Sequence, residues 1–241
     1  VMRNVYIYGD SLLKATVPDE ELKYHFHLPE IMARYPSDRV QVTNRAKMGA
    51  TVSKGLSLVE HDAARGLDAD YALICYGGND SDYDWAAIAA DPAADHQPHT
   101  KRETFRQTLE SMLNVLYRQG VQPVLMSLPP IDPRRYLNFI CRNGLDRSAI
   151  LRWLGDEDMI YRHQELYSDT VTELAYANSV PLIHVRQAFL ADHHMNDMLS
   201  ADGIHMTMEG YGKLFDTLAD WLRQDNEYAI GDLKVMEAGG I

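Results

Sequence analysis

Three residues that can together transfer an acyl group stand far apart in this chain: Ser11 near one end, Asp202 and His205 near the other. A neutral serine is a poor nucleophile. It needs a base beside it, usually a histidine held in one tautomer by a carboxylate. In Leu199-Ser-Ala-Asp-Gly-Ile-His205 the acid and the imidazole lie on one turn. That spacing lets Asp202 meet Nδ1 and leaves Nε2 for Ser11. Acyl transfer also needs donors where the carbonyl oxygen becomes negative. Gly49 has no side chain to screen its N–H, and Asn79 offers a side-chain amide. With the Ser11 N–H they make a three-donor hole, each donor worth about 3–4 kcal/mol of barrier.

These groups meet only if the elements before them end at one place. Val5-Tyr-Ile-Tyr8 has the β-branched and aromatic make-up of a buried strand. Gly9 breaks it, and the residues from Ser11 on open a helix. Strands are also expected at Val40–Thr43, Tyr71–Tyr76, Val124–Leu128 and Pro181–Val185. Gly49 and Asn79 follow the second and third of these, and Asp202 and His205 follow the fifth. In open α/β sheets, ligands bind at the carboxyl ends of the strands. Between the strands, apolar residues at helical spacing predict helices at 28–35, from Thr51 or Ser53 to about Arg65, from a Thr100–Glu103 capping box to Gly120, and at 159–178 and 207–223. Core positions on them include Leu56, Val59 and Ala63, and Leu166, Val171, Leu174 and Ala175. The stretch from Thr16 to Phe26 reads as a surface excursion, and 129–158 as a long irregular section or lid insertion. Strands alternating with helices predict an α/β fold, a three-layer α/β/α sandwich on a parallel five-stranded sheet.

At 241 residues with 46% hydrophobic content, residues 1–241 read as a single domain with one good-sized core and a tail from about 225. The net charge of −12 argues against a nucleic-acid backbone or an anionic membrane surface as partner. There is no apolar run long enough to span a bilayer. Cys75 and Cys141 are too few for a disulfide framework, and Cys75, inside an apolar run, reads as a core residue. A cytoplasmic setting fits best, with the reservation that the chain begins at Val1 and a leader removed before it is compatible with the sequence.

The blocks Gly9-Asp10-Ser11, Gly49, Gly77-Gly78-Asn79-Asp80 and Asp202-Gly203-Ile204-His205 together closely resemble the SGNH (GDSL) hydrolases, in the family's order and over nearly the whole chain. The resemblance implies a flavodoxin-like sheet and an esterase mechanism without cofactor or metal. Ser11 would be the nucleophile, His205 the base and Asp202 its orienting acid, with Ser11, Gly49 and Asn79 as oxyanion donors. Ala15 stands where the first block often has Gly, and Met206 follows His205 where many members have Pro. Both departures bear on subfamily and substrate rather than on the triad.

Each residue also has a plainer reading. Ser11 can cap the first helix, and Gly49 and Gly77 can be turn glycines with positive φ. Asn79 can make an Asx turn, and Asp202 can cap the last helix, although Thr207 is available for that. Asp10 is read as bracing its turn through backbone hydrogen bonds. His193 and His194, with Asp192 and Asp197 nearby, lack zinc spacing and read as a solvated loop, as do His96 and His99. Substrate-binding candidates are Tyr83, Trp85, Tyr136 and Arg134, with Trp153 beside them. These aromatics fall in loops expected near the pocket. Arg134 and Arg135 have the ordinary alternative of surface ion pairs. The expected substrate is a small-molecule or carbohydrate ester, with removal of a small acyl group such as acetyl preferred because the lid residues look polar. The rivals are short-chain lipid or thioester hydrolysis, acyl transfer on the same triad, and a carbohydrate-binding module that has kept the fold.

Overall fold

The structure is a computed structural model and describes residues 2–238, the side chains of 225–238 apart. Its strands are β1 (Arg3–Gly9), β2 (Thr16–Pro18), β3 (Tyr24–Phe26), β4 (Val40–Asn44), β5 (Tyr71–Cys75), β6 (Gln122–Met126) and β7 (Leu182–Ile183). The helices are α1 (Leu28–Met32), α2 (Val52–Ala64), α3 (Gly78–Ser81), α4 (Trp85–Ala90), α5 (Arg102–Arg118), α6 (Pro133–Cys141), α7 (Arg147–Leu154), α8 (Asp158–Ala177), α9 (Val185–Leu190), α10 (Met195–Met198) and α11 (Met208–Ala238).

β4, β1, β5, β6 and β7 lie side by side in that order, all parallel. Helices α2, α5 and α8 pack in sequence, while α11 packs on α1, α9 and β7. The result is the three-layer α/β/α sandwich with a flavodoxin-like strand order. The chain leaves β1 for one edge of the sheet and then crosses to β5 on the other side. Loops from neighbouring strands therefore diverge between β1 and β5, the point at which doubly wound sheets open a crevice. Pairing of Gly9 with Cys75 brings both strands to that point together. Gly9 is required there, because a Cβ would lie 2.5 Å from Leu13 Cδ1 and 3.1 Å from the Cys75 carbonyl.

The core follows from composition. Ala72, Leu73, Ile74 and Cys75 of β5 are buried, the continuous apolar run that a parallel strand covered on both faces needs. Phe105, Leu109, Met112 and Leu116 of α5 and Tyr211, Leu214, Phe215 and Leu218 of α11 close it from the helices. Among the described residues no helix is long and apolar enough to cross a membrane.

Several expectations need correction. Thr16–Phe26 is not an unstructured excursion: β2 and β3 form an antiparallel hairpin with Thr16 opposite Phe26. Only the polar Thr16 is buried, Val17, Pro18 and Tyr24 are intermediate and His25 and Phe26 exposed, so the hydrophobic pattern is faint. The section 129–158 is not irregular but holds α6 and α7. Asp132 and Asp146 cap them, accepting from the N–H of Arg135 and Ala149 at 3.0 Å each. Their inward faces supply Tyr136, Leu137, Ile140, Ile150 and Leu154 to a second apolar cluster with Ile88 and Ile160, so the inside of this segment is apolar rather than polar. The capping box at Thr100 does not form. α5 begins after Lys101 with no side-chain cap, and Thr100 is drawn to the buried carboxyl of Asp80. The fifth strand is only Leu182–Ile183, since Val185 already starts α9. On α8 Leu166 is 40% exposed, and Tyr167 beside it takes the buried place. On α2 Leu58, not Leu56, is buried with Val59. The backbone of α11 continues to Ala238, and how a tail beyond 225 packs lies outside the described side chains.

Candidate active site

Ser11 is the first residue of a 3-10 turn, Ser11–Lys14, directly after β1. The turn is capped by Asp10, whose Oδ1 accepts from the Leu12 N–H at 3.0 Å. The Ser11 hydroxyl is therefore not spent on capping. It lies 2.8 Å from His205 Nε2, and both residues are buried, at 6% and 5% exposure. At the start of a helical turn the Ser11 N–H has no carbonyl behind it within the turn.

His205 Nδ1 is 2.6 Å from Asp202 Oδ2. Asp202 Oδ1 accepts from the Ser200 hydroxyl at 2.9 Å and from the N–H groups of Ile204 and His205 at 3.0 and 2.9 Å. These bonds fold the segment 200–205 into a loop around its own carboxylate. Burial pushes the Asp202 carboxyl up. The His205 ring and the two backbone donors outweigh burial and hold its pKa down to about 2, so the carboxylate stays charged. Thr207, not Asp202, caps α11 by accepting from the Gly210 N–H at 3.2 Å.

Gly203 makes this loop possible. Its φ is +77°, and a Cβ there would sit 2.5 Å from the Asp132 carbonyl oxygen and 2.7 Å from the Tyr136 nitrogen. The Gly203 carbonyl accepts from the Asp132 N–H at 2.9 Å, which ties the 200–205 loop to the start of α6.

Asn79, on α3, faces the same place. Its Nδ2 donates to the Ala50 carbonyl at 3.1 Å and to Asp10 Oδ2 at 3.3 Å. The loop after β4 and the loop after β5 are thereby joined next to Gly49. Gly49 has φ +69° and nothing within 4 Å of where a Cβ would stand. It is exposed in the turn rather than part of the cavity wall, where its neighbour Met48 stands. Burial lifts the Asp10 carboxyl to about 6 against the pull of the Leu12 N–H. Asp80 receives the Val52 N–H on both oxygens at 3.1 Å and so anchors α2 to α3.

Ser11, Asn79 and His205 open onto a cavity of about 280 Å³. Its lining includes Tyr83, Trp85, Tyr136 and Trp153 with Asp82, and also Leu128, Pro129, Pro130, Ile131 and Phe139. Three of the four substrate-binding candidates thus face it. Trp85, Tyr136 and Trp153 stand on short helices, α4, α6 and α7, rather than in loops. Arg134 is not in the wall; it is 77% exposed and paired with Glu157 at 3.2 Å. Arg135 instead ties α6 to the loop below, donating to the Leu199 carbonyl at 2.8 Å. Among the described residues no group of three or more His, Cys, Asp or Glu is placed to hold a metal ion, and Asp192 pairs with Lys213.

One residue of the site escaped the sequence reading. Tyr24, on β3, lines the cavity, lays its ring 4.7 Å from the His205 ring and donates its hydroxyl to Asp202 Oδ2 at 3.1 Å. The available signal was the pair of β-prone triplets, Thr16-Val-Pro18 and Tyr24-His-Phe26, on either side of a polar turn.

A hydroxyl, an imidazole and a carboxylate stand in hydrogen-bonded series at the carboxyl edge of a flavodoxin-like sheet, in a fold of the acylhydrolase class. The chain belongs to the GDSL-like lipase/acylhydrolase family, whose pattern it matches over residues 7–213. It is a carboxylic ester hydrolase of that family. Among solved structures it is similar to a lipase/acylhydrolase from Enterococcus faecalis, at 21% identity and a TM-score of 0.62 over 93% of this chain and 97% of that one. It is also similar to a GDSL-like lipase from Bacteroides thetaiotaomicron, at 17% identity and a TM-score of 0.59 over 94% and 89%. An acetylxylan esterase from Geobacillus stearothermophilus matches at 16% identity and a TM-score of 0.60 over 90% and 92%. At these identities the likeness is one of fold. A comparison with curated proteins found no match.

Proposed function

We propose that this single-domain hydrolase cleaves a small acyl group, acetyl first, from a carbohydrate or another small acylated molecule, with Ser11, His205 and Asp202 as its catalytic triad. The observation that carries the reading is the unbroken series Ser11 Oγ–His205 Nε2 at 2.8 Å and His205 Nδ1–Asp202 Oδ2 at 2.6 Å. His205 takes the Ser11 proton as Oγ attacks the ester carbonyl. The charged Asp202 holds the ring and stabilises the imidazolium. The Ser11 N–H and the Asn79 amide receive the oxyanion, with Asn79 exchanging its long 3.3 Å bond to Asp10 for the bond to substrate. His205 returns the proton to the leaving alcohol, and water releases the acid by the same steps in reverse.

The neighbours described as lipase/acylhydrolase and acetylxylan esterase are in keeping with such a substrate. A second reading, hydrolysis of short-chain lipid esters or thioesters, is favoured by the apolar lining residues Leu128 to Ile131 and Phe139. The test is a panel of p-nitrophenyl esters of increasing acyl length together with acetylated sugars, each assayed with wild type and Ser11→Ala. Fastest turnover of acetyl esters, lost in the variant, supports the first reading. Rates that climb with acyl length support the second, and transfer to an added sugar acceptor in preference to water identifies an acyltransferase.

A further inference from the structure

The cavity in front of Ser11 holds a second polar feature that the acyl chemistry does not use. Asp82 lies in its lining, 71 positions after Ser11 and 120 before Asp202. One of its oxygens accepts the Trp85 indole N–H at 2.8 Å, and the other accepts the Tyr136 hydroxyl at 2.7 Å. A carboxylate has about four acceptor sites, so these two donors, one on each oxygen, leave room for a further donor. The two strong donors sit on the aromatic rings that build the wall, so Asp82 also sets where those rings stand.

The rings form corners rather than a flat stack. Trp85 meets Tyr136 at 85° and Trp153 at 83°, and Tyr83 meets Trp153 at 71° with ring centroids 4.8 Å apart. A corner of this kind offers a flat apolar ring both a face and an edge. No lysine or arginine is among the residues lining the cavity, while Asp10 and Asp82 both are. The wall therefore disfavours an anionic ligand. It is built for a neutral group that is flat, apolar on its faces and able to donate a hydrogen bond.

We infer that Asp82, with Tyr83, Trp85, Tyr136 and Trp153, forms a subsite for a hydroxylated ring, the sugar or cyclic polyol part of the ester, one hydroxyl of which donates to the Asp82 carboxylate. The inference rests on the reading of Ser11, His205 and Asp202 as the triad. A purely hydrocarbon ring fills the same corner but leaves a desolvated carboxylate site without a donor, and sites built around such a hydrogen bond reject ligands that lack it. This subsite gives the apolar wall and its one carboxylate a common purpose. It also sets the wall apart from an acyl-chain tunnel, in which a carboxylate would be a penalty.

The experiment compares kcat/KM for a mono-O-acetylated methyl pyranoside with that for cyclohexyl acetate, two acetyl esters of similar ring size that differ in their hydroxyls. p-Nitrophenyl acetate serves as the reference substrate. Wild type is expected to favour the pyranoside by about tenfold or more. Asp82→Asn and, separately, Trp153→Leu are expected to cut that ratio by about tenfold, the first by loss of the charge and of one of two accepting oxygens, the second by loss of a ring face. Because the readout is a ratio, a general loss of activity does not imitate the effect. Should Asp82→Asn fail to fold by circular dichroism, Trp153→Leu decides. A wild-type ratio near one, or a ratio unchanged in the folded variants, overturns the subsite. If p-nitrophenyl acetate turnover survives in Ser11→Ala, the triad reading falls instead, and the inference with it.

Discussion

The Tyr24 hydroxyl donates to Asp202 Oδ2 at 3.1 Å, the same oxygen that faces His205 Nδ1 at 2.6 Å. A hairpin close to the start of the chain thus supports a carboxylate 178 positions later and covers the imidazole with its ring. Burial and the neighbouring carboxylate push the Tyr24 hydroxyl well above the usual phenol range, so it remains a donor. Tyr24→Phe removes the donor and keeps the ring. Losing this bond, worth about 1.5–3 kcal/mol, lets the Asp202 carboxylate move out of line with His205 Nδ1, and that loss of alignment is expected to lower kcat by about tenfold. With less of its charge taken up, Asp202 stabilises the imidazolium more, and the acid limb of the pH–rate profile should move to higher pH. An unmoved profile would assign Tyr24 to packing alone.

The oxyanion role proposed for Asn79 separates from its structural one by kinetics. Asn79→Ala is expected to lower kcat by about 10²–10³-fold with KM little changed. If its amide serves only the Ala50 carbonyl and Asp10, the variant instead loses thermal stability while the remaining folded enzyme keeps its kcat.

Asp10 makes a prediction about stability and pH. Burial raises its carboxyl to about 6, with the His205 and Asp80 charges also acting on it. A carboxyl whose folded pKa lies above its unfolded value favours the folded state most fully below the unfolded value, near 3.8. That advantage is lost as pH rises through the folded value, about 6. Measured by urea unfolding from pH 4 to 7, Asp10→Asn should gain on wild type as pH rises, by up to about 3 kcal/mol. A difference independent of pH would contradict the elevated carboxyl.

Gly203 holds the 200–205 loop in a conformation that side chains resist. Gly203→Ala places a Cβ 2.5 Å from the Asp132 carbonyl oxygen at φ +77°. The left-handed backbone alone costs about 1–2 kcal/mol, and the clash pushes residues 202–205 away from α6. Differential scanning calorimetry should show a midpoint lower by about 4 °C or more, with esterase activity reduced by a larger factor than stability alone explains. A variant as stable and active as wild type would show that the loop does not need this close approach.

Where apolar periodicity was strong, the sequence disclosed the fold closely. β1, β4, β5 and β6 fall within two residues of their expected bounds, and Ser11, Asn79, Asp202 and His205 come together as their places after strands implied. The misses share a physical cause. β2 and β3 are three residues each and half-buried at most apart from Thr16, so their pattern never rises above that of a loop. α6 and α7 sit in a stretch whose Pro-rich start, 129–133, suggested irregular chain, although Asp132-Pro133 is itself a cap followed by a first-turn proline. Thr100 shows the limit of local reasoning, since its capping partner was outbid by Asp80, a carboxyl that only the fold brings near. The relation of Tyr24 to His205 joins residues far apart in the chain, and no local pattern encodes it.

The central claim is that the Ser11 oxygen is the nucleophile and that His205 activates it. Treatment with a fluorophosphonate, followed by mass mapping of the labelled peptide, tests this most directly. One adduct per chain on Ser11, formed in step with loss of p-nitrophenyl acetate hydrolysis and absent in His205→Ala, is the expected result. Inactivation with the adduct on another residue, or undiminished hydrolysis by Ser11→Ala, would contradict it.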